Sequence, residues 1–235
     1  MKPEPSSLKK EEAVLPPYLK IFLKVAFRVL LLGFLLFLPA RRLHWAAGWV
    51  YLVLYAAWSA LTIVLLARRS PALLLLREAK SQVASESWDK VLMFFIGALL
   101  AVLLLTCSAE AALSGGPALL SAAAFLCICA AYGLFTWALL SNSFAIGAAS
   151  LQEGQVPVDK GPYRAVRHPL YLAVVVIFSC TPAALGSTSG FVPGGLLAAA
   201  VVLRTALEDR LLLRSLPGYR EYASRVPYRL LPGFW

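Results

Sequence analysis

The chain consists of long apolar runs separated by short polar segments that are mostly basic. Four runs are each close to the ~20 residues with which an α-helix crosses the hydrocarbon core of a bilayer. Two shorter runs follow after a polar connector, and a small-residue turn, GSTSG, separates them, which predicts a helical hairpin. The predicted segments are 19–38, 45–66, 91–113, 117–140, 170–186 and 191–207.

Composition supports a membrane protein. Of the 235 residues, 60% are hydrophobic and 14% are charged, whereas soluble domains carry about a quarter charged residues. We therefore expect an all-α, multi-span integral membrane bundle of about six apolar segments, the last two forming the hairpin. Residues 1–18 are expected to be a mobile cytosolic tail and 19–140 a four-span bundle. Residues 141–235 hold the hairpin and an amphiphilic C-terminal helix or tail.

The net charge of +10 would favour nucleic-acid binding in a soluble protein. Here the cations lie between apolar runs, so we expect contact with membrane lipids and no nucleic-acid partner. With six spans, nearly all cations fall on one side and little beyond Arg41 and Arg42 on the other. The positive-inside rule therefore predicts that both termini are cytoplasmic. The four cysteines lie inside apolar runs and neither histidine has an acidic cluster beside it, so we expect no metal site.

Polar chemistry is concentrated just before the fifth apolar run and after the sixth. Pro169 fits the first turn of a helix and disfavours helical geometry at His168, so a span is predicted to begin at Pro169. Arg164 and Arg167 lie beside this helix start, whose free N–H groups favour an anion. The alternative is that these cations only set the topology and touch lipid headgroups.

The second polar segment contains an acidic pair at the border of a span. Arg204 and Glu208 are four residues apart and share a helix face, and Asp209 follows. Acids at this depth are costly unless they have partners or a ligand. Tyr219 and Tyr222 also share a face. The alternative is an interfacial helix with snorkelling arginines and aromatic anchors, which explains the acidic pair less readily.

The segments GPYRAVRHPLYLA and RTALEDRLLLRSLPGYREYASRVPYRLLPGFW together resemble the isoprenylcysteine carboxyl methyltransferase family, especially its bacterial relatives of undefined substrate. The family pattern is Gly-Pro-Tyr and Arg-His-Pro-x-Tyr-x-Gly, then an arginine, paired glutamates, Gly-Tyr-x-x-Tyr and a terminal proline. Weaker similarity extends upstream to about residue 45. The matching positions are Gly161, Pro162, Tyr163, Arg167, His168, Pro169, Tyr171, Arg204, Glu208, Asp209, Gly218, Tyr219, Tyr222 and Pro232.

The sequence departs from the family pattern at four positions. Ala173 replaces the glycine of the first block, and Asp209 replaces the second glutamate. Ser150 and Gly154 occupy places where bacterial relatives tend to carry arginines. These departures motivate the alternative that the chain is a non-catalytic membrane binding or scaffold protein of the same architecture.

The resemblance implies an enzyme that binds S-adenosylmethionine in a cytosol-facing pocket built from residues 141–235, with a lipophilic acceptor entering from the bilayer. The chain has no Gly-rich dinucleotide-binding fingerprint, so these motifs must hold the cofactor. We expect its carboxylate at the Pro169 helix start with Arg167 and His168, and its amino group near Glu208. The other cofactor-binding candidates are Asp209 and the tyrosines expected to enclose the adenine and ribose, Tyr163, Tyr171, Tyr219 and Tyr222.

Acceptor chemistry distinguishes the catalytic candidates. A carboxylate acceptor is ionised at neutral pH and needs no base, and Arg204 would orient it. An amine acceptor must lose a proton, for which Glu208 or His168 is the candidate base. The expected activity is carboxyl O-methylation of an isoprenylcysteine-type acceptor. Phospholipid amine N-methylation is the alternative among methyltransferases, and a nicotinamide-dependent reductase is a more distant one.

Overall fold

The computed structural model describes residues 17–78, 86–111 and 118–235, and all regular structure within these ranges is helical. The predicted all-α class is therefore confirmed. The predicted N-terminal tail, 1–18, lies almost entirely outside the described residues. The helices are α1 (Pro17–Ala40), α2 (Ala46–Arg69), α3 (Pro71–Glu78), α4 (Ser87–Ala111), α5 (Ala118–Ser141), α6 (Pro169–Leu185), α7 (Phe191–Ser215) and α8 (Tyr219–Arg225).

Five of these helices, α1, α2, α4, α5 and α7, are long and apolar enough to cross a membrane. Large apolar side chains on them point outward: Phe27 is 65% exposed, Phe94 73% and Leu119 84%, an arrangement suited to contact with lipid. Helix α6 is also apolar but has 17 residues, about 26 Å at 1.5 Å per residue. The predicted multi-span helical bundle is confirmed, with one segment shorter than the others.

The α6–α7 hairpin is also confirmed. Helix α6 ends at Leu185, and Gly186 follows with a φ of 74°, in the left-handed region that glycine tolerates best; α7 begins at Phe191. On α7, a Cβ at Gly194 would lie 3.0 Å from the carbonyl oxygen of Phe178. The absence of a side chain at this position therefore allows the two helices to pack closely.

Contacts between helices identify the two ends of the bundle. At one end, Ser121 Oγ on α5 donates to the carbonyl of Ala184 on α6 at 2.5 Å, and the hydroxyls of Tyr51 and Thr181 are 3.0 Å apart. We call the opposite end, where α6 begins and α7 ends, the basic end. It includes the cations Arg68, Arg77, Lys90, Arg164, Arg167 and Arg214.

Two helices extend further at the basic end than hydropathy predicts. Helix α7 continues to Ser215 instead of residue 207, so the acidic pair lies inside the helix. Helix α4 begins at Ser87 instead of residue 91 and includes Asp89. Both extensions contain charged side chains, which hydropathy excludes from a span. In the folded protein the acids of these extensions, Asp89, Glu208 and Asp209, have partners in neighbouring elements.

Candidate functional site

The segment that precedes α6 lies directly against the C-terminal tail. The backbone N–H groups of Arg167 and His168 donate to the carbonyls of Tyr228 and Arg229, each at 2.9 Å. Nearby, the Tyr222 hydroxyl donates to the carbonyl of Tyr163 at 2.8 Å. The two motif blocks recognised in the sequence are therefore brought together at the basic end, and α6 begins at Pro169 as predicted.

Asp209 is the centre of a buried charged network and is itself 0% exposed. Its Oδ1 accepts hydrogen bonds from Arg167 Nε at 2.9 Å and from the Tyr219 hydroxyl at 2.9 Å, and lies 3.1 Å from His168 Nε2. Its Oδ2 accepts from Arg167 Nη2 at 2.9 Å and from Arg229 Nε at 2.8 Å. This network, which we call the Asp209 cluster, fastens α7 to the start of α6, to α8 and to the tail.

The surroundings of Arg167 change the role expected for it. Besides its bidentate pair with Asp209, its Nη1 donates to the carbonyls of Val226 at 2.9 Å and Pro227 at 2.8 Å. Burial opposes the charge of Arg167, but the hydrogen bonds and charge of Asp209 outweigh it and raise the pKa of the guanidinium. Since four of its five N–H donors have protein partners, Arg167 is first of all a structural cation and not a free receptor for a ligand carboxylate.

A second charged network lies within two turns of Asp209 on α7. Arg204 Nε donates to Asp89 Oδ1 at 2.7 Å, and Asp89 Oδ2 accepts from the backbone N–H of Ala149 at 3.0 Å. Arg204 also donates to the hydroxyl of Tyr171, which in turn donates to Glu208. We call Arg204, Asp89, Tyr171 and Glu208 the Arg204 group. It confirms that Arg204 and Glu208 are brought together.

Asp89 is a component of this site that the sequence analysis did not identify. It is 2% exposed and forms a buried ion pair with an arginine 115 positions away. One signal was present in the sequence: Asp89 lies two residues before a long apolar run. By the same cost argument that singled out the acidic pair, this acid requires a partner.

The two networks border a cavity of about 470 Å³ at the basic end, between α4, α6, α7, α8 and residues 142–158. Polar side chains line it near the helix ends, and apolar ones line it where the helices pass toward the middle of the membrane. Its polar lining includes Arg77, Asn142, Ser150, Gln155, Arg204 and Glu208, and its apolar lining includes Met93, Ile96, Leu100, Val174, Phe178 and Val201.

Most of the predicted site residues line this cavity, and the exceptions are informative. Asp209 and Pro169 are fully buried behind the wall, so we reassign both from cofactor contact to positioning. Arg164 is exposed and Ala173 packs in the core, and neither reaches the cavity. The residues that do line it are Tyr163, Arg167, His168, Tyr171, Arg204, Glu208, Tyr219 and Tyr222.

The cavity tyrosines outside the spans are neutral phenols. Burial raises the pKa of the Tyr163, Tyr219 and Tyr222 hydroxyls well above the ordinary value. At neutral pH they therefore offer aromatic faces without adding charge, while the hydroxyls of Tyr219 and Tyr222 donate to Asp209 and to the Tyr163 carbonyl. This suits the predicted enclosure of an adenine and ribose.

Ser150 carries an unsatisfied polar atom on the cavity wall. Among the side chains that the structure describes, its Oγ is the buried oxygen or nitrogen with no hydrogen-bond partner. Buried polar groups are nearly always paired, so an unpaired one facing a cavity favours a ligand that supplies the partner. Within the same described ranges, no group of three or more His, Cys, Asp or Glu side chains is arranged to hold a metal ion.

Comparison of the sequence with models of known protein families gives no match. Comparison with curated proteins gives no match either. The resemblance to isoprenylcysteine carboxyl methyltransferases therefore stays a prediction based on the two motif blocks, and any function must be argued from the site itself.

Proposed function

We propose that this integral membrane protein is an S-adenosylmethionine-dependent methyltransferase of a lipophilic acceptor, most like an isoprenylcysteine-type carboxylate. The observation that carries the proposal is a cavity whose polar mouth continues into an apolar interior. A charged, nucleoside-like donor suits the mouth, and an acyl or prenyl chain suits the interior. The motif resemblance supports the same assignment, and the excess of cations at the basic end supports a cytoplasmic location for the site.

The residues on the wall fit the chemical groups of this cofactor. Ser150 and Gln155 offer hydrogen-bonding side chains for the ribose and adenine, between the buried tyrosines. Glu208 offers a carboxylate for the donor's amino group. The donor's carboxylate would lie in the positive field of Arg77 and Arg204, since Arg167 is committed to Asp209.

The protein's contribution to the reaction is to bind, orient and exclude water. When bound, S-adenosylmethionine supplies an electrophilic methyl group for in-line transfer. The Arg204 group lies where the polar and apolar parts of the cavity meet, so a carboxylate on the end of a lipid chain would reach Arg204. A guanidinium has five N–H donors, of which Arg204 uses three, on Asp89, Tyr171 and the Gly147 carbonyl. The remaining donors can orient the acceptor.

Calorimetry of the purified protein in detergent tests the cofactor site directly. We expect S-adenosylhomocysteine to bind, and Glu208→Gln to weaken binding. Glu153→Gln is a matched control, because Glu153 is exposed and does not line the cavity. No binding at millimolar concentration, or equal effects of the two substitutions, would contradict the proposal.

Transfer of a radiolabelled methyl group into membrane extracts then identifies the acceptor. A base-labile product indicates a methyl ester and supports a carboxylate acceptor. A base-stable product indicates N-methylation, in which case Glu208 or His168 takes the role of base. Cofactor binding without transfer to any extract would favour the non-catalytic alternative.

A further inference from the structure

A second cavity, of about 270 Å³, lies between α1, α2, α3 and α5 and shares Arg77, Phe135 and Ile146 with the wall of the first. Helix α1 contributes Lys24 and Arg28, which are four residues apart and share a face, and α3 contributes Arg77. Helix α2 adds the hydroxyls of Ser59 and Thr62, which are 9% and 7% exposed. Three cations thus line one cavity together with polar side chains.

Arg28 lies deep in an apolar helix. The candidate span of α1 begins at Tyr18, and the ten residues from there to Arg28 correspond to about 15 Å of helix. Its neighbours Phe27 and Leu30 are 65% and 72% exposed, on a surface suited to lipid. An arginine at this depth is costly unless it snorkels or finds a partner, so it indicates a functional site.

The two arginines of this cavity repel each other. Burial lowers the pKa of Arg77, and the charge of Arg28 lowers it further. Arg77 donates to the carbonyl of Ala145, which is an uncharged acceptor. Among the side chains that the structure describes, no carboxylate lines this cavity and none forms an ion pair with Arg28. An anion placed between the guanidinium groups would stabilise both.

We propose that this cavity binds the phosphate of an anionic phospholipid drawn from the leaflet at the basic end, with its acyl chains along the outer face of α1. Guanidinium groups bind phosphate oxygens through paired, charge-assisted hydrogen bonds. A lipid fits better than a soluble anion because Arg28 is exposed on the lipid-facing side of a span. Basic pockets between membrane helices on the cytoplasmic side are suited to such headgroups. The proposal does not depend on the methyltransferase assignment.

Arg77 gives this site a structural connection to the first cavity, because its side chain lines both. Arg77 therefore makes an ambiguous test, since its substitution would disturb two cavities. Arg28 lines the second cavity and not the first, so it isolates the lipid site.

Native mass spectrometry of the purified full-length protein with equal amounts of phosphatidylglycerol and phosphatidylcholine tests the proposal. We expect wild type to retain phosphatidylglycerol preferentially, and Arg28→Gln to lower the ratio of the two adducts about fivefold, as for loss of one cation near a membrane surface. Arg28→Lys keeps the positive charge but not the planar guanidinium, so it should lower the adduct ratio less than Arg28→Gln does. Arg68→Gln removes an exposed cation that does not line the cavity and should leave the ratio unchanged.

Three results would overturn the proposal. Wild type could show no preference between the two lipids, or Arg28→Gln and Arg68→Gln could change the ratio equally. A thermal shift produced by inorganic phosphate alone, equal to that produced by phosphatidylglycerol, would show an anion site that does not select a lipid. Unfolding temperatures of all variants in phosphatidylcholine distinguish a binding defect from a folding defect.

Discussion

The Asp209 cluster and the Arg204 group lie close together on α7 and use the same chemistry, but they differ in how fully they are satisfied. The Asp209 carboxylate has close contacts with five nitrogen or oxygen atoms of four side chains, and a carboxylate has about four lone-pair sites. It has no capacity left and does not line the cavity. Arg204 and Glu208 both line the cavity, and Arg204 keeps unused donors.

This difference indicates that the Asp209 cluster stabilises the fold, whereas the Arg204 group is available to a ligand. A buried charge whose partners are all supplied by the protein holds elements together, and its removal should affect folding first. A buried charge with capacity left over, facing a cavity, can act on a ligand. The two networks therefore predict different outcomes for chemically similar substitutions.

The largest expected effect is that of Asp209→Asn on stability. The amide cannot balance the buried charge of Arg167, and its NH2 group would face donors instead of acceptors. Breaking a buried ion pair in this way costs about 3–5 kcal/mol, a large part of a typical stability of roughly 5–15 kcal/mol. Thermal unfolding in detergent should show a strongly lowered transition, or no monodisperse protein at all.

Asp159→Asn is the matched control for this change. Asp159 pairs with Arg225 at 3.3 Å, but its side chain is 47% exposed. Surface substitutions usually change stability by less than about 0.5 kcal/mol. If Asp209→Asn were as stable as Asp159→Asn and lost only ligand binding, the architectural role of the Asp209 cluster would be refuted.

The next largest effect concerns the Arg204–Asp89 pair. A double substitution can separate its contribution to stability from the role of Arg204 in orienting the acceptor. Arg204→Gln alone leaves the Asp89 charge buried, and Asp89→Asn alone leaves Arg204 without its counter-charge. The double variant removes both charges, so it should recover much of the stability that either single variant loses. Methyl transfer should still fall about 100-fold or more, as when a charge-orienting donor is removed from an active site.

Three measurements on the same samples check this prediction: thermal unfolding, S-adenosylhomocysteine binding and radiolabelled methyl transfer. The expected pattern is recovered stability, S-adenosylhomocysteine binding weakened by loss of the positive field of Arg204, and a larger loss of methyl transfer. If the double variant recovered methyl transfer, the Arg204 group would be a purely structural network, like the Asp209 cluster.

Local sequence rules explain what could be predicted about the fold and the site. The preference of proline for a first helical turn predicted the start of α6 at Pro169, and a turn rich in small residues predicted the α6–α7 hairpin. Motif resemblance then identified site residues of which most line the cavity. The sequence did not predict which side chains pair with each other: Arg167, a candidate for contact with the cofactor, forms a bidentate ion pair with Asp209.

Partners between distant helices depend on packing that no local pattern encodes. Asp89 and Arg204 come from different spans, and the sequence around each of them indicates only a charge near the end of a span. The cavity wall formed by residues 142–158 has little regular structure, so periodicity carries no information about which side chains point inward. Ser150 was identified only as a departure from the family pattern.

The smallest expected effect is that of Ser150→Ala, which tests the unsatisfied oxygen on the cavity wall. Because Ser150 Oγ has no protein partner among the described residues, its removal should leave the unfolding temperature unchanged or slightly raised. A ligand that supplies the missing hydrogen bond would lose about 0.5–1.5 kcal/mol, or roughly 2- to 12-fold in affinity. Calorimetry with S-adenosylhomocysteine measures this loss of affinity.

Ser224→Ala is the control, since Ser224 is exposed and donates to the Glu221 carbonyl at 2.8 Å. Equal affinities for the two variants would remove Ser150 from the ligand site, and a fall in stability would show that its oxygen already has a partner.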